Sequence, residues 1–421
     1  MSRAPIRVFA SPSPKRAAAA LAQGDVGIAL YQIGRTELAG LGANLLQAAT
    51  RLSCSPSVRA WDFLSIALAV HAADRFVVRR HSQDSWTRMI ALDVELSEPE
   101  PWTAQANAIA HALRFLSSDI WYLHFRAGGA SPPASNSSPT DRDCACLFSG
   151  GLDSLIGAMD LQCQDRRPLL VSQASPKEGR IQAYLADQIG LAQHRFEGRV
   201  SERWRRPYEP SSRTRSVLFI GYGAVAASTV IQDGAAELIV PENGLISINA
   251  PLTRRRIGSL STRTTHPYFI TSLQRVFDAV DLHVNLVNPY GFKTKGEMLA
   301  ECQDKDITRL APASYSCGKG KRLNQHCGRC VPCLIRRASF HSAGLTDSTD
   351  YRADDLSAHM AYEDVASVRF AAASLVHCDV TRWAAEAGPL SHDRDQRSCY
   401  VDVVRRGTEE LRTFFSTISW S

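Results

Sequence analysis

Apolar residues follow two different rhythms along this chain, with a break between them. Before residue 128 the rhythm is mixed. Ile90, Leu92, Val94 and Leu96 alternate with Ala91, Asp93 and Glu95, which predicts a half-buried strand. SVRAWDFLSIALAVHAADR and PWTAQANAIAHALRFL have helical spacing, the second with Pro101 in its first turn. An α+β domain is expected over 1–127. The run GGASPPASNSSPTDRD, 128–143, has no apolar anchor and reads as an exposed linker. After it, the short apolar runs ACLF, PLLVSQ, AELIVPE and HVNLVN alternate with helical segments, SVLFIGYGAVAAS and YFITSLQRVFDAVD among them. That alternation predicts an α/β domain over 144–340 with a doubly wound, mostly parallel sheet. EDVASVRFAAASLVH and VDVVRRGTEELRTFF make 341–421 a helical extension.

Composition narrows the partners. With 44% hydrophobic and 21% charged residues, the chain is ordinary for a soluble globular protein. The net charge of +6 is uneven: from His341 onward 8 Arg face 13 Asp and Glu, so the preceding part is the basic one. A basic body suits phosphate-bearing ligands. The basic residues are scattered and not interleaved with aromatics, which argues against direct nucleic-acid binding. The N-terminus lacks the apolar core of a secretory signal, and SVLFIGYGAVAASTVI is too short to span a bilayer, so a cytoplasmic protein without a membrane partner is expected. In that compartment clustered cysteines are metal ligands or reactive thiols and not disulfides.

One such cluster stands out among the eleven cysteines. Cys317, Cys327, Cys330 and Cys333 have the spacing C-x9-C-x2-C-x2-C. Four thiolates at this spacing close a tetrahedron around Zn²⁺ and leave no open position, so the site is structural. An iron–sulfur cluster is the alternative, but no Cys-Pro follows. His326, beside Cys327, reads as a neighbour of the site.

The other constellation is CLFSGGLDSLIG, from Cys146 to Gly157. A strand ends and a helix begins there. Gly150 and Gly151 allow a tight turn and close approach of the backbone to an anion, while the helix N-terminus favours negative charge. Ser149 and Ser154 add hydroxyl donors. Asp153 would repel phosphates, and is explained if it caps amides or works through Mg²⁺. Glu242 and Asn243 in PENG follow a strand and so fall at the edge where such sheets bind ligands. Glu242 can accept from a purine-like N–H edge; the same tetrapeptide also fits a plain turn.

SGGLDS matches the SGGxDS signature of the PP-loop ATP pyrophosphatases. Together with CGRCVPCLIRR, the chain resembles the QueC family of 7-cyano-7-deazaguanine synthases. SSRTRSVLF sits where that family has an Arg-containing motif opening a helix, and NPYGFKTKGEML resembles its Pro-x4-T-K-x-E-[IM] segment. The likeness spans about Cys144 to Phe340. The 1–127 domain and the loop VPENGLISINAPLTRRRIGSLSTRTTHP depart from the family, and look like the QueC-like members of anti-phage defence operons, of the QatC type.

The resemblance implies a PP-loop fold of the HUP-like, adenine nucleotide alpha hydrolase type. It implies ATP binding by Leu147, Phe148, Ser149, Gly150, Gly151, Leu152, Asp153, Ser154, Ser172 and Arg215, with Asp153, Ser154 and Lys295 catalytic and Mg²⁺ and Zn²⁺ as cofactors. Lys295 would neutralise charge growing on the α-phosphate. Arg213, Glu242, Asn243, Arg263, Thr265 and His266 would meet the substrate, with His266 placed to take a proton from an attacking amine. The implied reaction adenylates 7-carboxy-7-deazaguanine, giving AMP and pyrophosphate, then passes the acyl group to the N-terminal amine of a QatB-like partner protein. Formation of an amide or nitrile as in queuosine-type pathways, tRNA modification, and a non-catalytic nucleotide-binding subunit are the alternatives.

Overall fold

The computed structural model describes every residue except 1–3, 35–37, 138–140, 174–177, 199–206, 211, 231–233, 257–262, 320–324 and 421. Ser211 and much of the loop ahead of Arg263 therefore lie outside the described residues.

Residues 4–127 form β1 (Ile6–Ser11), α1 (Pro14–Ala22), β2 (Val26–Leu30), β3 (Ala39–Leu41), α2 (Leu45–Ala49), α3 (Val58–Phe76), β4 (Met89–Leu96), α4 (Pro99–Ala104), α5 (Ala106–Ser117) and β5 (Ile120–Ala127). The next unit comprises β6 (Cys144–Leu147), α6 (Leu152–Cys163), β7 (Pro168–Gln173), α7 (Glu178–Gln188), β8 (Gln193–Phe196), α8 (Arg215–Ala227), β9 (Ala236–Ile239), α9 (Gly244–Ile248), α10 (Pro267–Ala279) and β10 (Val284–Val287). It is followed by α11 (Lys295–Glu301), α12 (Ile307–Leu310), α13 (Val331–Ser342), α14 (Glu363–Ser374), α15 (Val380–Ala385) and α16 (Arg394–Ser416).

Both sheets are parallel, with orders β3-β2-β1-β4-β5 and β10-β9-β6-β7-β8. Numbered within its own sheet, each runs third, second, first, fourth, fifth. The N-terminal unit is thus a second doubly wound α/β sheet where mixed structure is expected from the sequence. The alternating strand also differs from expectation. β4 lies inside the sheet with both faces covered, and its acids are neutralised: Glu95 by Arg16 at 2.7 Å and Asp93 by Arg126 at 2.8 Å. The second predicted helix breaks at Gln105 into α4 and α5.

The two sheets join through equivalent helices. α3 and α8 each link the third strand to the fourth, and they pack against each other. Gly221 lets the axes approach closely, since a Cβ there would lie 3.1 Å from the Ala67 methyl. This sandwiching explains why α3 is apolar all round, with Trp61, Phe63, Leu64 and Leu68 at most 1% exposed. α5 and α10, each between fourth and fifth strands, make a second contact, with Phe115 and Tyr268 rings 4.9 Å apart.

A doubly wound sheet binds ligands where the strand order reverses. In the first sheet that crevice, between β1 and β4, is closed. Glu95 accepts from Ser11 Oγ at 2.6 Å and from Arg16, and Arg16 also donates to the Gly128 carbonyl. The supposed linker is stitched across the same edge by the Gly129 amide on the Leu96 carbonyl and the Asn136 amide on that of Thr50. In the second sheet the crevice, between β6 and β9, is open.

A buried ion network ties the first unit to the start of α8. Arg88, fully buried, donates to Asp74 at 2.5 Å and Asp119 at 2.6 Å. Asp74 also accepts from the amides of Arg213 (2.8 Å) and Thr214 (3.0 Å) and from the Thr214 hydroxyl (2.9 Å). Its carboxyl stays below the ordinary range because Arg88 and these donors outweigh the effect of burial. At the other end, α16 grips α11: Thr294, in the capping box of α11, donates to Glu410, and Arg406 pairs with Glu297.

Asp74→Ala removes together the counter-charge of a buried arginine and the acceptor that holds the residues leading into α8, and should lower unfolding free energy by about 3–5 kcal/mol in urea titration. Burial raises the Glu410 carboxyl from 4.5 to about 7. A folded pKa above the unfolded one gives stability that is complete below pH 4.5 and is lost as pH rises through about 7. Glu410→Gln should flatten that decline in thermal melts recorded across the same window.

Candidate active site

The open crevice is a cleft of two lobes, with cavities of about 470 and 540 Å³, that share Ser149, Ser154, Pro241, Glu242, Thr264 and Tyr315 in their walls. The loop after β6 supplies its floor. Gly150 turns the chain at φ +79°, and a side chain there would press on Gln182 at 3.1 Å. Gly151 then caps α6. Ser149 Oγ accepts from the Gly151 amide at 3.2 Å and lies 3.2 Å from Ser154 Oγ, so both hydroxyls sit at the mouth of the helix. Two hydrogen bonds to the cysteine-bearing segment hold the turn: the Tyr315 amide donates to the Gly150 carbonyl (2.8 Å), and the Leu152 amide donates to Ser316 Oγ (3.4 Å).

Asp153 is buried in the first turn of α6. It pairs with Lys295 Nζ at the start of α11, and accepts from the Asn243 amide (3.1 Å) and side chain (2.7 Å) after β9. Burial works to raise its carboxyl, but Lys295 and the hydrogen bonds from Glu242 and Asn243 win and hold it below the usual range. Glu242 goes the other way: burial and the neighbouring Asp153 charge raise it well above the usual range. The pair therefore shares one negative charge, with Glu242 donating.

The smaller lobe is mostly apolar, with Leu147, Ile181, Phe219, Ile220 and Val240, and Arg215 at its rim. Arg215 donates to Gln173 and Glu178, both at 3.2 Å. The larger lobe is charged, with Asp153, Arg213, Arg256, Lys295, Lys319 and Asp364. Lys319 pairs with Asp364 at 2.8 Å, while Arg256 donates to Asn249 at 2.6 Å and has no carboxylate partner among the described residues.

Of the residues expected here, Leu147, Ser149, Gly151, Leu152, Asp153, Ser154, Arg213, Arg215, Glu242, Thr265 and Lys295 line the cleft. Gly150 shapes the turn and Asn243 holds Asp153 from behind. Phe148 lies in the core. Ser172 is fully buried beneath the loop, donating to the Phe148 carbonyl at 2.6 Å and accepting from Gln193 at 2.8 Å. Arg213 also stacks on Trp86 at 4.5 Å. Arg263 points out of the cleft onto Phe115, donating to its carbonyl at 3.0 Å. His266 is a helix cap: fully buried, it accepts the Tyr268 amide through Nδ1 at 3.1 Å. Burial and Arg263 push its pKa down to about 3. No wall residue of either lobe is His266.

Among the polar cleft residues that sequence reasoning missed are Arg256, Thr264, Tyr315, Ser316, Lys319 and Asp364. Tyr315 and Ser316 had a usable signal in their adjacency to Cys317, and Thr264 in its place between Arg263 and Thr265.

The four cysteines converge, all Sγ atoms within 4.8 Å of one another. Cys317–Cys330 and Cys327–Cys333 are 3.9 Å apart and Cys330–Cys333 3.5 Å. A tetrahedron with Zn–S bonds of about 2.3 Å has S···S edges of about 3.8 Å, so the set fits zinc. The Cys327 amide donates to Cys317 Sγ at 3.4 Å and the Cys330 amide to Cys327 Sγ at 3.3 Å, as thiolate ligands require. His326 is not in the cluster; its Nε2 accepts from the Ser316 amide at 3.2 Å. Cys317 and Cys330 also form part of the cleft wall.

Comparison with known proteins agrees with this geometry. Residues 264–344 match the family model described as Queuosine biosynthesis protein QueC. A 7-cyano-7-deazaguanine synthase of Rhizobium etli is 41% identical over 92 residues, 21% of this chain and 37% of that protein. The alignment thus spans little more than a third of that relative. Proteins of the same name from Agrobacterium fabrum and Paracoccus denitrificans are 28% identical over 234 residues and 27% over 241, each across 50% of this chain and 92% and 93% of theirs. With the PP loop at the switch point of a parallel sheet and the cysteine knuckle behind it, the chain is a QueC-like PP-loop protein.

Proposed function

We propose that the protein is an ATP-dependent carbon–nitrogen ligase acting on 7-carboxy-7-deazaguanine in the cytoplasm, and that its acceptor is the N-terminal amine of a partner protein in anti-phage defence. The observation that carries the reading is the Asp153–Lys295–Asn243–Glu242 cluster directly behind the SGG loop, at the junction of an apolar and a charged lobe. The apolar lobe accepts adenine, with Arg215 at the phosphates. The loop amides and the hydroxyls of Ser149 and Ser154 hold the β,γ-pyrophosphate. The charged lobe takes the deazaguanine, with Arg256 and Arg213 for its carboxylate and Glu242 for an N–H edge.

A carboxylate oxygen attacks the α-phosphorus and pyrophosphate leaves. The amine nitrogen then attacks the acyl carbon, loses a proton, and AMP leaves. Lys295 shifts from Asp153 toward the charge growing on the α-phosphate. Asp153 would hold Mg²⁺, which would screen the phosphates. The name of the relatives favours a second reading, in which ammonia is the acceptor and a nitrile the final product. The first sheet and the 240–267 segment, which resemble the defence-associated subgroup, favour the protein acceptor.

Purified protein with Mg-ATP should release AMP and pyrophosphate only when 7-carboxy-7-deazaguanine is added, read by nucleotide chromatography. Lys295→Ala should slow this by about 10²–10³-fold, and Asp153→Ala comparably. ADP as the product would sink the reading. Zinc analysis should find one metal per chain, absent in Cys330→Ser. Because Ser316 and Tyr315 adjoin the knuckle, ATP affinity of that variant should fall about tenfold or more in calorimetry.

A further inference from the structure

A groove of about 650 Å³ lies outside the cleft, between α5 and α10, with Pro389 closing one side. Its polar lining includes Arg114, Arg263, His111, Ser118 and Thr87, and contains no carboxylate. Elsewhere in the fold Arg16, Arg88, Arg126 and Arg166 are each paired with acids. In the groove neither Arg114 nor Arg263 has a carboxylate partner among the described residues. Arg263 gives one N–H to the Phe115 carbonyl and rests its guanidinium 4.8 Å over the Phe115 ring, while its buried Nε has no acceptor. Tyr268, 38% exposed, stands edge-on to Phe115 and offers a free aromatic face.

We propose that this groove is a second ligand site, for a phosphate ester carrying a flat heterocycle: a mononucleotide. Arg114 and Arg263 supply the charge for a phosphate and Ser118 and Thr87 its hydroxyl donors, with the base stacking on Tyr268. The volume suits such a ligand, small-molecule sites running to about 300–1,000 Å³. Arg263 is followed directly by Thr264 and Thr265, both in the cleft wall. A nucleotide in the groove therefore fixes the backbone next to the cleft, which makes the site regulatory and independent of which acyl group the cleft handles.

The test is hydrogen–deuterium exchange on the full chain with AMP, inorganic phosphate or a short single-stranded oligonucleotide. AMP should protect peptides covering 111–118 and 266–273, at concentrations lower than inorganic phosphate needs. Arg114→Glu, at an exposed position, should raise the half-protecting concentration at least about tenfold, and Tyr268→Ala should erase the advantage of AMP over phosphate. The proposal is overturned by no protection of these peptides, by equal protection with phosphate alone, by protection with the oligonucleotide but not AMP, or by indifference to Arg114→Glu. Peptides covering 147–156 report the cleft separately, so a cleft that ignores nucleotide counts against the ligase reading alone.

Discussion

Everything around the cleft is arranged to keep one carboxylate ionised where it is least comfortable. Asp153 sits in the first turn of α6, out of water and beside the place where phosphates would bind. Alone it would take up a proton, since burial disfavours its charge. It stays charged because Lys295 and Asn243 reach it from two other elements, and because Glu242 takes the proton instead. Each partner is fixed in turn. Asn243 caps α9 by accepting from the Ile246 amide, and Lys295 begins α11, whose capping box is held by Glu410 and Arg406 of α16. The helical extension, in which no chemistry is visible from sequence, is thus the outer brace of the cleft lysine.

The first sheet serves the same end from the opposite side. Its strand order repeats that of the second, and like pairs with like across the junction, α3 on α8 and α5 on α10. Its own crevice is filled by Glu95, Arg16 and the 128–137 segment. What remains useful is its flank: Asp74 and Phe115 orient the segments around Arg213 and Arg263, so that Arg215 and the two threonines face the cleft. A domain that has the topology of a nucleotide-binding unit without an open crevice acts here as a fixed wall.

How much of this could be read from residues follows from how local each feature is. The PP loop was legible because strand end, glycines and helix start are contiguous, and the cysteines because metal spacing is itself a pattern. Helix burial and strand alternation were less reliable. Asp93 and Glu95 look solvent-facing until Arg126 and Arg16 are brought beside them. His266 looked like a base because it follows a polar loop, but a histidine before Pro267 is equally a helix start, and its Nδ1 cap settles which. Ser172 reads as a ligand contact by position, yet both its hydrogen bonds go to protein. Arg256 and Glu410 had no local signal, since their roles come from chain segments brought together only by folding.

The link between knuckle and loop gives the four-cysteine set a role beside the cleft. Tyr315 and Ser316 precede the first cysteine, and both bond to the SGG turn. The Tyr315 contact, at 2.8 Å, fixes a carbonyl that no phosphate would want. The Ser316 contact, at 3.4 Å, is long and uses an amide of the helix mouth that a phosphate oxygen would bind better. The first orders the turn whether or not ligand is present; the second is a placeholder that an anion displaces. A metal bound at the knuckle would thereby preform the loop, and a preformed loop would lower the ordering cost of binding an anion there.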